Sequence, residues 1–175
     1  MNAARLILVE GMIGSGKTTT ALRIGDCLAG RGENARVFRE AAVDHPIQTR
    51  AEDRLRACGH AAGDSAEYAD NQWRQLAERC DRGRPTIIIE ASFLQNSVMT
   101  AFIKDAPGPV VDDIFDRITG QAAPAEPLLV YLRPAAVAAA AARPTASGEP
   151  WSSGLPRWRA SAPPSVLTVR RVSSP

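Results

Sequence analysis

Gly11, Gly16, Lys17 and Thr18 stand in the order Gly, four residues, Gly-Lys-Thr. Those residue types at that spacing are suited to holding a polyphosphate. Glycines let the backbone curl until successive N–H groups face inward around phosphate oxygens. The same N–H groups merge with the positive end of a helix that follows, so an anion site exists before any side chain is added. Lys17 contributes a mobile point charge for the β- and γ-phosphates, and Thr18 a hydroxyl for Mg²⁺. Gly11, Ile13, Gly14, Ser15, Gly16, Lys17, Thr18 and Thr19 are therefore the expected nucleotide-binding residues of a Walker A loop. A glycine turn that only joined a strand to a helix would have no use for a lysine there.

Such a loop needs a buried strand before it and a helix behind it. Residues 6–9 form a short apolar run that reads as a buried parallel strand. Residues 18–31 carry Ala21, Leu22, Ile24, Gly25 and Leu28 at helical spacing, and Gly30 and Gly32 stop that helix. A second strand is expected at 35–39, then a loop with a short helix over 41–63, where Pro46, Gly59 and Gly63 interrupt the chain. Trp73, Leu76, Ala77 and Cys80 fall at i, i+3, i+4 and i+7 of a helix over 65–82. The β-branched run at 86–89 is the strongest strand signal. Helices are expected at 95–104 and 110–119, separated by APGP, and a fourth strand at 128–132. Alternating strands and helices predict an α/β domain: a parallel sheet of four to five strands, covered by helices on both faces and joined by right-handed crossovers.

Ligands of open parallel sheets bind at the carboxyl ends of the strands. Glu10, Glu40 and Glu90 each stand at such an end, on the edge that carries the glycine loop. Phosphoryl transfer needs positioning, Mg²⁺, cations around the moving group and a carboxylate to orient or deprotonate the acceptor. Glu40 is the candidate base; Glu90 is a candidate for the metal, alongside Thr18, or for the acceptor. Asp44-His45-Pro46 reads equally as a substrate-contacting turn and as ordinary loop chemistry. Gln95 and Asn96 follow the third strand and are weaker substrate candidates. Trp73 reads as core rather than as a base-stacking platform, and His60 as an ordinary loop residue. Asn71 or Gln72 could read a base, but neither has a motif to support it.

The stretch EGMIGSGKTT resembles the opening of deoxynucleoside kinases and of the wider thymidylate-kinase-like group, in which a strand runs into E-G-x-x-G-S-G-K-S/T-T. Those kinases place a Glu, acting as base, at the end of the second strand, which corresponds to Glu40. They carry Glu-Arg-Ser after the third strand, and Glu90-Ala91-Ser92 stands there, with Ala91 in place of the arginine. A closer likeness is to small actinobacterial-type P-loop kinases, which combine the loop with E-x-x-x-D-H-P, matched by Glu40, Asp44, His45 and Pro46, and with an acid followed by Gln-Asn, as in EASFLQN. The likeness covers roughly residues 5–133. It implies a P-loop NTPase fold and an ATP- and Mg²⁺-dependent phosphotransferase acting on a hydroxyl or phosphate of a nucleoside, nucleotide or similar metabolite. It also implies lid arginines after the fourth strand, where Arg133 and Arg143 are available, and it places Asp44 and His45 facing the phosphates or the acceptor. The alternative is a nucleotide-binding protein with little or no turnover, regulatory or truncated.

Composition narrows the remaining classes. The formal net charge of +2 gives no reason to expect a nucleic-acid binder. No stretch is long and apolar enough for a membrane span and no secretory leader is legible, so a cytoplasmic protein is expected. Cys27, Cys58 and Cys80 lie too far apart for a zinc site and are odd in number, so idle thiols are expected. No guanine-reading Asn/Thr-Lys-x-Asp follows a strand. Oligomeric state is open, a homodimer included. The domain is expected to span 1–143. In the tail, 144–175, acids all but vanish while Ala, Pro, Ser and Arg dominate, the pattern that a GC-rich gene read out of frame gives. A disordered or altered end is expected there, with one weak strand at 166–169.

Overall fold

The computed structural model describes residues 5–12, 14–40, 42–47, 62–80, 85–98, 106–133 and 167–171; for 62–69, 96, 97 and 167–171 it describes the backbone. The elements are β1 (Leu6–Gly11), α1 (Lys17–Gly30), β2 (Ala35–Phe38), α2 (Ala62–Arg79), β3 (Thr86–Glu90), a π-helical turn at Leu94–Val98, α3 (Gly108–Ala122), a 3₁₀ turn at Ala123–Ala125, β4 (Leu128–Leu132) and β5 (Leu167–Arg171). The sheet order is β2-β3-β1-β4-β5. The first four strands are mutually parallel.

Right-handed crossovers dictate where the helices go. The step from β1 to β2 runs one way across the sheet, whereas β2 to β3 and β3 to β4 run the other. One helix must then cover the first face and two the second. Ala21, Ile24 and Leu28 of α1 accordingly pack on Ile7, Val9, Ile88 and Val130. Trp73 and Leu76 of α2, with Ile118 and Ala122 of α3, pack on Leu6, Leu8, Ile87 and Ile89. Side chains alternate along a strand, so β1 and β3 each send consecutive residues to opposite cores. Both strands are buried along their whole length, and each aliphatic side chain so enclosed contributes roughly 1.5–3 kcal/mol. Trp73 is fully buried and meets Phe93 edge-on, with ring centroids 5.4 Å apart, so it is a core residue. Arg117 of α3 is bonded to Asp70 of α2 and ties the two helices together at their surface.

Three expectations need correction. The fifth strand is antiparallel to β4, pairing Leu128 with Arg171 and Leu132 with Leu167, so the sheet is parallel in four strands with an antiparallel edge. Within the helix expected over 95–104, the described residues form the π-helical turn Leu94–Val98 instead of an α-helix. Glu10 and Glu90 belong to their strands rather than following them. No helix among the described residues is long and apolar enough to cross a membrane. Among the cysteines, Cys27 is exposed and Cys80 half-buried, both as free thiols, while Cys58 lies outside the described residues.

The sharp exit from β1 depends on Gly11. Its φ is +145°, and a Cβ there would lie 2.4 Å from the Leu132 carbonyl oxygen and 2.8 Å from Ser15 Oγ. That carbonyl is held in β4, so the clash cannot be relieved by a side-chain movement. Gly11→Ala is expected to lower unfolding stability by about 3 kcal/mol, from overpacking together with an unfavourable backbone angle. Urea unfolding would measure it, and an unchanged midpoint would mean that the β1–β4 contact is not close-packed.

Candidate functional site

The described residues of the loop between β1 and α1 make a compact turn. Gly14 and Gly16 adopt φ of +76° and +93°, and the Ser15 N–H donates to the Met12 carbonyl at 3.2 Å. Left-handed Gly16 occupies the N-cap of α1, which has no side-chain capping bond and no acid in its first turn. The first N–H groups of a helix have no partners within it, so this end suits an external anion. Lys17 is the first helical residue; it is only 6% exposed, and its Nζ donates to the Met12 carbonyl at 3.2 Å. Its ammonium therefore sits folded over the loop that an anion would enter.

Parity along β3 determines what faces Thr18. Ile87 and Ile89 point to the α2–α3 core, so Ile88 and Glu90 point to the α1 side. Thr18 Oγ1 donates to Glu90 Oε1 at 2.5 Å, joining residues 72 apart in the chain. Glu90 is 5% exposed, which rules out an ordinary solvated strand-end carboxylate. With its hydrogen committed to Glu90, the Thr18 hydroxyl keeps lone pairs for a hard cation. Among the described residues no group of three or more His, Cys, Asp or Glu could hold a metal by itself.

Glu40 lies beyond the end of β2, next to β3 in the sheet. Gln95 Nε2 donates to its Oε1 at 3.2 Å. Its surface is exposed, yet desolvation by the protein around the carboxyl raises its pKa above the ordinary value; Lys17 pulls it down and Glu90 pushes it up. Lys17, Glu40 and Glu90 thus interact electrostatically in one place. The carboxylate can only accept, so the Gln95 amide nitrogen must face it. Gln95 Oε1 then faces away, buried and without a partner among the described residues.

Other candidates fall elsewhere. Asp44 is exposed and paired with Arg36 at 2.5 Å. His45 is 3% exposed, lies edge-on to Phe38, and is bonded through Nδ1 to the Ile47 backbone and through Nε2 to Ser92 Oγ at 3.2 Å. Burial holds its pKa below the ordinary value. The expectation that Asp44 and His45 face the phosphates or the acceptor is therefore corrected: one is a surface ion pair and the other ties the loop after β2 to the end of β3. Asn71 accepts from Arg74 on the surface of α2. Arg133 is exposed and directly follows Leu132, the neighbour of Gly11 in the sheet, which keeps it on the site's edge. Thr19 is exposed and Asn96 belongs to the π-helical turn. Ile13, His60 and Arg143 lie outside the described residues.

Glu10 received no role from its sequence position, yet it is the most enclosed acid of the site, at 1% exposure. It shares the parity of Leu6 and Leu8, so it points under the turn after β3 rather than into the glycine loop. Ala91, at φ +60°, bends the chain sharply there. The Phe93 N–H then donates to Glu10 Oε1 at 2.7 Å. Burial pushes the Glu10 carboxyl up to about 7 from 4.5, against the N–H groups of Phe93, Leu94 and Gln95 and the charge of Lys17, all of which pull it down.

That shift makes a stability prediction. A carboxyl whose folded pKa lies above its unfolded value binds its proton more tightly when folded. Its contribution is fully present below about 4.5 and is lost as the pH rises through about 7. The loss is on the order of 3 kcal/mol. Urea unfolding from pH 5 to 8 should therefore decline more steeply for the wild type than for Glu10→Gln. Parallel profiles would mean that Glu10 is ionised throughout.

No protein-family model matches the chain, and no curated protein is significantly similar to it.

Proposed function

We propose that the chain is an ATP- and Mg²⁺-dependent phosphotransferase of the P-loop NTPase fold, acting on a hydroxyl or phosphate of a small molecule of nucleoside or nucleotide type. The observation that carries this reading is the 2.5 Å contact between Thr18 Oγ1 and Glu90 Oε1 beside the glycine loop. A serine or threonine at the head of the helix, bonded to a strand-end acid, is the pair that holds Mg²⁺ against a bound nucleotide. When bound there, Mg²⁺ would neutralise charge on the β- and γ-phosphates.

The protein's own groups do the rest. N–H groups of the loop and of the α1 terminus bind the phosphates, and Lys17 follows the charge that develops on the transferred group. Glu40 takes the proton of the acceptor hydroxyl; the freed oxygen attacks the γ-phosphorus, and the bond to the bridging oxygen breaks to release ADP. Arg133, exposed just beyond β4, would approach the phosphates from that side.

The test is ADP release from Mg²⁺-ATP by the purified chain across a panel of nucleosides and nucleotides, with Lys17→Ala as the blank. One acceptor that raises release above the blank supports a kinase. Tight Mg²⁺-ATP binding with no acceptor effect across the panel would favour a nucleotide-binding module without turnover.

A further inference from the structure

Glu10 takes no part in the chemistry proposed above, yet it occupies a place where its charge is costly. Leu, Ile or Val would fill that position of β1 without the desolvation penalty of a carboxylate. What the carboxylate does instead is accept the backbone N–H of Phe93 at 2.7 Å, with the N–H groups of Leu94 and Gln95 also favouring its charge. Those N–H groups open the π-helical turn Leu94–Val98 and would otherwise be unsatisfied in a buried setting. Glu10 is therefore an N-terminal cap supplied from another strand, 83 residues away. A cap at this point also explains why the turn opens where it does.

The same turn carries Gln95, whose Nε2 donates to Glu40 Oε1 at 3.2 Å. We infer that Glu10 is a positioning residue for Glu40: by holding the N–H groups of Phe93–Gln95 it fixes the turn from which the Gln95 amide orients the Glu40 carboxylate. The inference rests on the phosphotransfer reading for the role of Glu40 as base, while the tether itself stands apart from it. Two links join β1 to the base, one through the backbone and one through the Gln95 side chain. Glu40 has no regular element of its own to hold it, since β2 ends at Phe38. A displaced turn would let its carboxylate rotate away from the acceptor, and a misplacement of about 1 Å costs on the order of a hundredfold in rate.

The experiment compares Glu10→Leu, which removes the accepting oxygen, Gln95→Leu and the double variant, with Glu10→Asp as the form that keeps the charge but retracts it should Glu10→Leu fail to fold. Amide hydrogen exchange at Phe93–Gln95 reports the tether, and kcat and KM are read separately. Exchange should quicken in Glu10→Leu or Glu10→Asp but not in Gln95→Leu. Each single variant should lose about tenfold to a hundredfold in kcat with the KM for ATP unchanged. The double should be no slower than the worse single, because both cut one chain of contacts. Rate losses that multiply in the double variant would overturn the positioning role, as would full kcat in a Glu10 variant with quickened exchange. Unchanged exchange overturns the tether whatever the rates. No acceptor-dependent turnover in the wild type, together with quickened exchange in the Glu10 variants, overturns the phosphotransfer reading and, with it, a role in positioning a base.

Discussion

Lys17→Ala is expected to lower acceptor-dependent ADP release by about 10²–10³ in kcat, the range for removing one preorganised group that meets developing charge. Lys17 is the only cation of the described glycine loop, enclosed at 6% exposure with its Nζ bonded to the Met12 carbonyl. Held in place before the reaction, the ammonium needs little reorganisation when charge moves onto the leaving oxygens. Removing it acts on its neighbours too. Lys17 pulls down the pKa of both Glu10 and Glu40, so alanine lets both rise and leaves more Glu40 protonated at a given pH. Lys17→Arg should restore little, because a planar fork does not fit a site built around a compact point charge. Steady-state assays with matched circular-dichroism spectra measure this; an alanine variant as fast as the wild type would remove the phosphotransfer reading.

Glu40→Gln should leave Mg²⁺-ATP affinity unchanged and lower kcat by about 10²–10⁴, the usual contribution of a positioned base. The replacement keeps the shape and still offers an oxygen to Gln95 Nε2, so the loss would be one of proton acceptance rather than of structure. A base works when ionised, and the Glu40 pKa is raised by desolvation and by Glu90. The wild-type rate should therefore climb with pH along an acid limb lying above the ordinary Glu value of 4.5, and that limb should vanish in Glu40→Gln. The raised pKa improves proton acceptance near neutrality. Wild-type turnover in Glu40→Gln would assign the proton to another group.

Much of this was legible before the chain was folded. The glycine loop needs residue types that have few other uses in that order, and its neighbours on either side are an apolar run and a helical repeat. β4 lies at the expected 128–132, and α1 begins within a residue of its expected start. Glu40 and Glu90 were marked by standing at strand ends. The antiparallel pairing of β5 could not be read, because a short run such as 166–169 carries no sign of its direction.

The division of labour among the acids came only from tertiary structure. Glu10 and Glu90 both end fully buried strands next to each other in the sheet. A strand buried on both sides has no alternation of apolar and polar residues to distinguish its faces. Sequence alone therefore could not tell that Glu90 would meet Thr18 beneath α1 while Glu10 would pass under the turn after β3. The same limit hid His45, which the Asp-His-Pro pattern suggested for the site and the packing of Phe38 and Ser92 drew into the interior. Local sequence determined that a glycine turn at the head of α1 and strand-end carboxylates exist, because backbone geometry and residue type specify them. Which carboxylate meets the Thr18 hydroxyl, which the Gln95 amide and which the backbone was decided by strand order and crossover handedness, since these set the helix or turn lying over each face.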